Sequence, residues 1–423
     1  MMYKKTKLKN GIRIIKVPNR NIETVTLVAI FGVGSRDEVG KMEGVAHFLE
    51  HMMLKGTEKR PTGTDISKEL DNVGAANNAF TGKEYTGYWI QTEKKDISLA
   101  LDMLSDMLLH SKFEEQEIEN EKDAVIEEIN MYEDAPMRDI PSVFENMLYQ
   151  GQSLGHDQLG SKENVKNFCR QDLVDFYCKN YREDNLIITV SGNFDERKVD
   201  REIKKLFVSF EKHPQKAKVL KNIDAQEKPK VFVKYKKTDQ TNFSLGFRAF
   251  KTGHKDQYAL DVLNVILAGN SSSRLYEKIR EKNGLAYYIY SYAEDFQDVG
   301  YFTIQSGVGN DKCKKAILMI MEEIRRIKDE KVSPQEIERA KNHIRGRMAI
   351  SLESSSSLAS FITSQELLNG KILTPKEKFA KINAVTTKDL QRVAKNIFIE
   401  KGLNLAIIGP FRDGKKFEKL LKL

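Results

Sequence analysis

Cysteine, tryptophan and uninterrupted apolar runs are scarce in this chain. Three cysteines, Cys169, Cys178 and Cys313, and one tryptophan stand among 423 residues. The cysteine spacings fit neither a disulfide framework nor a cysteine-ligated zinc site, so reduced thiols, buried or half-buried, are expected. No apolar stretch reaches the roughly 18 residues that a membrane-spanning helix needs, so no membrane partner is expected. The first residues, Met1 to Lys7, lead into a short strand and not an apolar signal segment, which predicts a cytoplasmic location. A dominant charge sign is missing too. The formal net charge is +8, but 69 basic and 61 acidic residues interleave, as in Glu114 to Asp123. That pattern describes a solvated surface laced with ion pairs. With no nucleic-acid motif beside it, no nucleic-acid partner is expected.

What is present suffices for substantial cores. Hydrophobic residues make up 40% of the chain, with 21 Phe and 15 Tyr, and the mean hydropathy of -0.51 is that of a soluble protein. The length exceeds one ordinary core, so two or three domains are expected. Residues 5–34 read as strands, with Ile12, Ile14 and Val17 in one extended run. Helices follow at about 42–54 and 64–73, the second with Thr64 as its candidate N-cap. A small-residue-rich extended segment covers 74–81 and a strand covers 85–91. Helical periodicity then dominates 97–110, 114–132, 139–149 and 165–181, ahead of a strand over 185–192. Meandering strands alternating with helix pairs predict an α+β fold, a mostly antiparallel sheet with helices on one face. The polar, charged, Pro-containing stretch 211–230 reads as an inter-domain linker.

The segment Gly44 to Met53 reads as one amphipathic helix. His47 and His51 are four apart and project from one face, which Glu50 shares. Val45, Phe48, Leu49, Met52 and Met53 form its apolar body. Two imidazoles at that spacing suit a tetrahedral zinc ion, and a neighbouring carboxylate suits proton transfer from a metal-bound water. The order His-x-x-Glu-His is the inverse of the commoner zinc-peptidase motif. The same residues also fit two hydrogen-bonded, inert histidines on a core-facing helix.

A hydrolytic zinc site takes three protein ligands. Glu121 and Glu128 lie seven apart, on nearly one helix face beside Val125 and Ile129, while Glu127 is rotated about 100° from Glu128. A buried carboxylate there needs a partner, and a metal would serve. A solvated acidic helix fits the same segment. Further along, the plan repeats 217 residues on: Asp172 and Leu173 recur as Asp389 and Leu390, and Leu186, Val190, Gly192 and Phe194 as Leu403, Ile407, Gly409 and Phe411. Such long-period similarity predicts two halves of one fold. The expected division is a domain over 1–212 that carries the candidate zinc motif and would be the catalytic one, a linker over 213–230, and a homologous domain over 231–423 that lacks the metal motif. The second half has Asn264, Leu267 and Ala268 where the first has His47, Glu50 and His51.

His47-Phe48-Leu49-Glu50-His51, with Glu128 placed 77 residues past His51 in an Ala-Val-Ile-Glu-Glu-Ile context, resembles the pitrilysin family of zinc peptidases. That family includes insulin-degrading enzyme and the mitochondrial processing peptidase. Leu54-Lys55-Gly56-Thr57 and Asn77-Asn78-Ala79-Phe80-Thr81 add to the resemblance, which spans essentially the whole chain. It implies two homologous α/β-sandwich domains and one zinc ion per chain held by His47, His51 and Glu128. Glu50 would be the general base, and Glu121 an outer carboxylate that orients a ligand. Asn77, Asn78, Ala79 and Phe80 would form the strand that binds substrate. Arg280 and Tyr287 match the family's Arg and Tyr that bind the substrate carbonyl or its oxyanion. From the residues alone these two read as a surface ion pair and a core tyrosine. The resemblance further implies an endopeptidase that takes peptides or unfolded segments into a closed chamber. The chain would pair as a homodimer or heterodimer, with Arg280 and Tyr287 acting within the chain or on the partner's zinc. The competing expectation is a non-catalytic scaffold or partner subunit of the same fold.

Overall fold

A computed structural model of the chain describes residues 3–208, 210 and 221–423. Its strands are β1 (Lys4–Lys7), β2 (Arg13–Pro18), β3 (Thr24–Phe31), β4 (Ala76–Thr81), β5 (Thr86–Glu93), β6 (Leu186–Gly192), β7 (Lys230–Tyr235), β8 (Gln240–Arg248), β9 (Ala286–Asp295), β10 (Gly300–Gly309) and β11 (Leu403–Gly409). The helices of the first half are α1 (Val45–Met52), α2 (Gly63–Asp71), α3 (Ile97–His110), α4 (Glu115–Asp134), α5 (Pro136–Leu148), α6 (Lys162–Asn167), α7 (Arg170–Asn180) and α8 (Glu196–Leu206). Those of the second are α9 (Gln257–Leu267), α10 (Cys313–Asp329), α11 (Pro334–Ser351), α12 (Ser355–Asn369), α13 (Pro375–Asn383), α14 (Thr387–Ile397) and α15 (Lys415–Glu418). The expected 165–181 helix is two helices, broken where Cys169 takes the N-cap position of α7. The N-cap of α2 is Thr62 and not Thr64, because Asp65, three residues on, completes a reciprocal cap with it.

The described residues divide into two compact units, one drawn from 1–130, 156–220 and 351–372, the other from 131–155, 221–350 and 373–423. The first holds a six-stranded sheet in the order β1-β2-β6-β3-β5-β4. The second holds a five-stranded sheet in the order β7-β11-β8-β10-β9. Apart from β1 the two orders are the same, with one parallel pair in each, β2 with β6 and β7 with β11. The α+β reading and the duplication are therefore what the chain folds into.

Most helices gather on one face of each sheet, and one further helix covers the other. In β3, Val25, Leu27, Ala29 and Phe31 enter the core beneath α1, α3 and α4, while Val28 and Ile30 face Ala359 of α12. A strand covered on both faces reads as continuously apolar, as β3 does. In the second unit Phe243, Leu245 and Phe247 of β8 join the main core. On the reverse face α5 packs Ile140, Val143 and Phe144 against Tyr301, Ala406 and Ile408. Gly246 lies beneath α5, where a Cβ would come 2.6 Å from the Phe144 ring.

The contiguous division into 1–212 and 231–423 differs from this packing. Residues 131–155, with α5, belong to the second unit, and 351–372, with α12, to the first. An amphipathic pattern marks a helix as buried without saying which sheet receives it. Of the linker stretch, 213–220 lies outside the described residues, and 221–229 carries no helix or strand. Cys169 and Cys178 are exposed, contrary to expectation, and Cys313 is buried. On α7 the inward positions go to Leu173 and Phe176.

Candidate metal centre

α1 has eight residues, too few to hold a helix in water alone. Packing holds it: Val45, Phe48 and Leu49 are fully buried and Met52 nearly so, each contributing about 1.5–3 kcal/mol. The helix starts at Gly44, whose φ of +101° lies in the left-handed region. A Cβ there would sit 2.7 Å from the Leu159 carbonyl. From this fixed start His47 and His51 project one turn apart, with their Nε2 atoms 3.2 Å from each other.

α4 runs past the same face. Glu128 Oε2 lies 3.5 Å from His47 Nε2 and 3.6 Å from His51 Nε2. Two turns earlier Glu121 accepts a hydrogen bond from His51 Nδ1 at 2.8 Å, and its other oxygen pairs with Lys55. Val125 and Ile129 seat α4 in the core, and exposed Glu127 accepts from the Asn130 amide. Glu50 stands beside the group, and its Oε2 accepts from Thr81 Oγ1 at 2.6 Å.

The electrostatics follow from burial and proximity. Burial, then the charge of His51, holds His47 down at about 3, so its ring is neutral at pH 7. For His51 burial acts downward too, but the hydrogen bond and charge of Glu121, with Glu50 and Glu128, raise it. Burial raises Glu50 above the usual carboxylate range against the opposing Thr81 hydrogen bond. Glu121 is lowered, because the His51 and Lys55 contacts outweigh its burial.

The donor chemistry fits a divalent cation. His51 donates its Nδ1–H to Glu121, so in the neutral ring Nε2 is the nitrogen that offers a lone pair. His47 Nδ1 is buried without a hydrogen-bond partner. Three electron-pair donors thus converge within 4.8 Å of one another, a group that could hold a metal ion. Tetrahedral zinc separates neighbouring ligands by about 3.3 Å, and the three separations here are 3.2, 3.5 and 3.6 Å. Beside the donors opens a cleft of about 840 Å³ lined by Glu50, His51, Lys55, Thr62, Lys68 and Asn78, among others.

β4 forms the outer edge of its sheet, paired on one side with β5. Asn77 and Asn78 are exposed along it, Ala79 is buried and Phe80 half-buried. Arg280 and Tyr287 belong to the second unit. There the Arg280 guanidinium lies 5.1 Å from the Tyr276 ring centre and 5.9 Å from that of Tyr287. Tyr287 is 72% exposed, so it is not a core tyrosine. In α9, Asn264 takes the place of His47, and its Oδ1 accepts from Ser291 Oγ at 2.6 Å. Two contacts escaped the sequence reading. One is the Thr81 hydroxyl on Glu50, and the other is the Glu38 carboxylate on the first amides of α1. Neither leaves a local motif, since each joins separate elements.

Known proteins share both the sequence and this architecture. Residues 13–162 match the family described as Insulinase (Peptidase family M16), and residues 167–344 match Peptidase M16 inactive domain. The uncharacterized zinc protease YmxG of Bacillus subtilis is 35% identical over 97% of this chain and 98% of its own length. An uncharacterized zinc protease of Streptomyces coelicolor is 32% identical over 97% of this chain and 90% of its own. A protease of solved structure from Helicobacter pylori has a TM-score of 0.90 at 25% identity, covering 97% of this chain and 99% of that one. A chain of complex III from Candida albicans shares the fold, at a TM-score of 0.84 and 19% identity over 99% of this chain and 100% of that one. With both family models matched in succession, this chain belongs to peptidase family M16, the insulinase family.

Proposed function

We propose that the chain is a zinc-dependent endopeptidase. The observation that carries the reading is the convergence of His47 Nε2, His51 Nε2 and Glu128 Oε2 with Glu50 alongside. These three residues would hold one zinc ion, and Glu121 would fix the ring of His51. Zinc, when bound, supplies a Lewis acid that polarises the peptide carbonyl and brings the pKa of a water toward about 7. Glu50 would take a proton from the attacking water and pass it to the leaving amine. Thr81 donates to Oε2 of Glu50, so Oε1 is the oxygen assigned to this work. The free edge of β4 binds substrate as an added strand through Asn77 to Phe80. A strand edge pairs only with extended backbone, so the substrates are peptides and unfolded segments. Arg280 and Tyr287, both hydrogen-bond donors, are assigned to the substrate carbonyl.

A pair of chains, identical or related, is the proposed working form, and the cytoplasm its place. The alternative is a non-catalytic partner subunit, which the match of residues 167–344 to a domain described as inactive favours. The intact donor set weighs against it, since a scaffold has no use for three converging lone pairs. Chelator-sensitive cleavage of a quenched peptide decides between them. Glu50→Gln is expected to retain zinc and lose at least about a hundredfold in kcat. Full activity in that variant refutes the role given to Glu50.

A further inference from the structure

Helix α1 starts without a side-chain cap of its own, since its N-cap is Gly44. The first amides of a helix need acceptors. Glu38, six residues before Gly44, supplies them. Its Oε2 accepts from the Gly44 N–H at 2.8 Å and its Oε1 from the Ala46 N–H at 2.7 Å. The carboxylate is fully buried, and a negative charge there also suits the positive end of the helix. His156 Nε2 stands 3.3 Å from Glu38 Oε2 and donates to the Ser35 carbonyl at 2.5 Å. Lys83 in turn donates to the His156 carbonyl at 2.6 Å. On another side Gly44 meets Gly160 so closely that a Cβ on Gly44 would lie 2.8 Å from the Gly160 Cα.

These contacts act one residue from the metal group, because Ala46 directly precedes His47. Side-chain tips stand about 5–6 Å from a helix axis, so a twist of about 10° shifts them by about 1 Å. Metal–ligand distances tolerate only about 0.2 Å. We propose that Glu38 is a positioning residue for the metal centre. By holding the Gly44 and Ala46 amides it sets the register and rotation of α1, and so the aim of His47 and His51. The inference rests on the zinc reading given above.

The test is Glu38→Gln in the full chain. The amide keeps the volume but offers one oxygen and sets an N–H₂ group against the other backbone donor. Four measurements are made: zinc Kd by chelator competition, the visible spectrum of the cobalt-substituted protein, thermal melting, and kcat with KM in the quenched-peptide assay. The expected result is a folded variant whose zinc Kd is weakened about 10- to 100-fold and whose cobalt bands are shifted, with kcat lowered and KM kept. A lower melting temperature with the wild-type Kd and cobalt spectrum shows a merely structural role and overturns the proposal. Should Glu38→Gln not fold, Glu38→Asp keeps the charge on a side chain one methylene shorter, which cannot hold both the Gly44 and Ala46 amides in the same register. A shifted cobalt spectrum then supports the proposal and an unshifted one overturns it. If the wild-type chain binds no zinc, the metal centre itself falls. If the wild type binds and Glu38→Gln binds equally well, only the positioning role falls.

Discussion

Replacing Glu121 by alanine leaves the Nδ1–H of His51 without its acceptor. That hydrogen bond is 2.8 Å long, and Glu121 is only 5% exposed. A net hydrogen bond to a charged group is worth about 1.5–3 kcal/mol, and each 1.4 kcal/mol is about tenfold in an equilibrium constant. The zinc Kd of Glu121→Ala is therefore expected to weaken about 10- to 100-fold, the range usual for outer carboxylates of metal sites. Glu121→Gln separates the two contributions. It keeps an oxygen for His51 and gives up the pairing with Lys55, whose side chain is 35% exposed. Ion pairs that exposed are worth at most about 1 kcal/mol, so Glu121→Gln should lose less than about tenfold. Chelator competition on both variants, with circular dichroism to confirm folding, provides the comparison. Zinc binding by Glu121→Ala within twofold of the wild type would falsify the reasoning, as would equal losses in the two variants.

Thr81→Val removes the donor on Glu50 while keeping the shape. The expected result is a roughly tenfold fall in kcat at unchanged KM and zinc content, read in the quenched-peptide assay; an unchanged kcat counts against the contact. Burial, against the opposing charge of Lys378 and with that of Asp295, raises the Asp261 carboxyl to about 6. A raised carboxyl is protonated in the fold at pH values where the unfolded chain has already released its proton. Its contribution is thus full below pH 3.8 and lost as pH rises through about 6. Asp261→Asn should then gain up to about 3 kcal/mol at pH 7.5 and little at pH 4 in urea unfolding, and an equal gain at both pH values contradicts this.

The parts of the centre that were legible in the sequence are those carried by one helix at a time. The i, i+4 spacing placed His47 and His51 on one face, and the seven-residue spacing of Glu121 and Glu128 placed those two together on α4. The duplication was legible for the same reason, since equivalent positions such as Leu186 and Leu403 open matching strands, β6 and β11. What escaped were choices made through space. The patterns of α5 and α12 announce buried helices, yet each half gives its helix to the sheet of the other unit. Glu38 carries no cap signature because it bonds to α1 from a separate turn. Thr81 looks like an ordinary strand residue until β4 is laid beside Glu50.

Anomalous X-ray scattering at the zinc edge from crystals of the purified chain tests directly whether a metal ion lies between His47, His51 and Glu128. One strong peak is expected within bonding distance of His47 Nε2, His51 Nε2 and Glu128 Oε2, about 2.0–2.2 Å from each. Zinc-replete crystals with no peak there, or with the peak elsewhere in the chain, contradict the zinc reading.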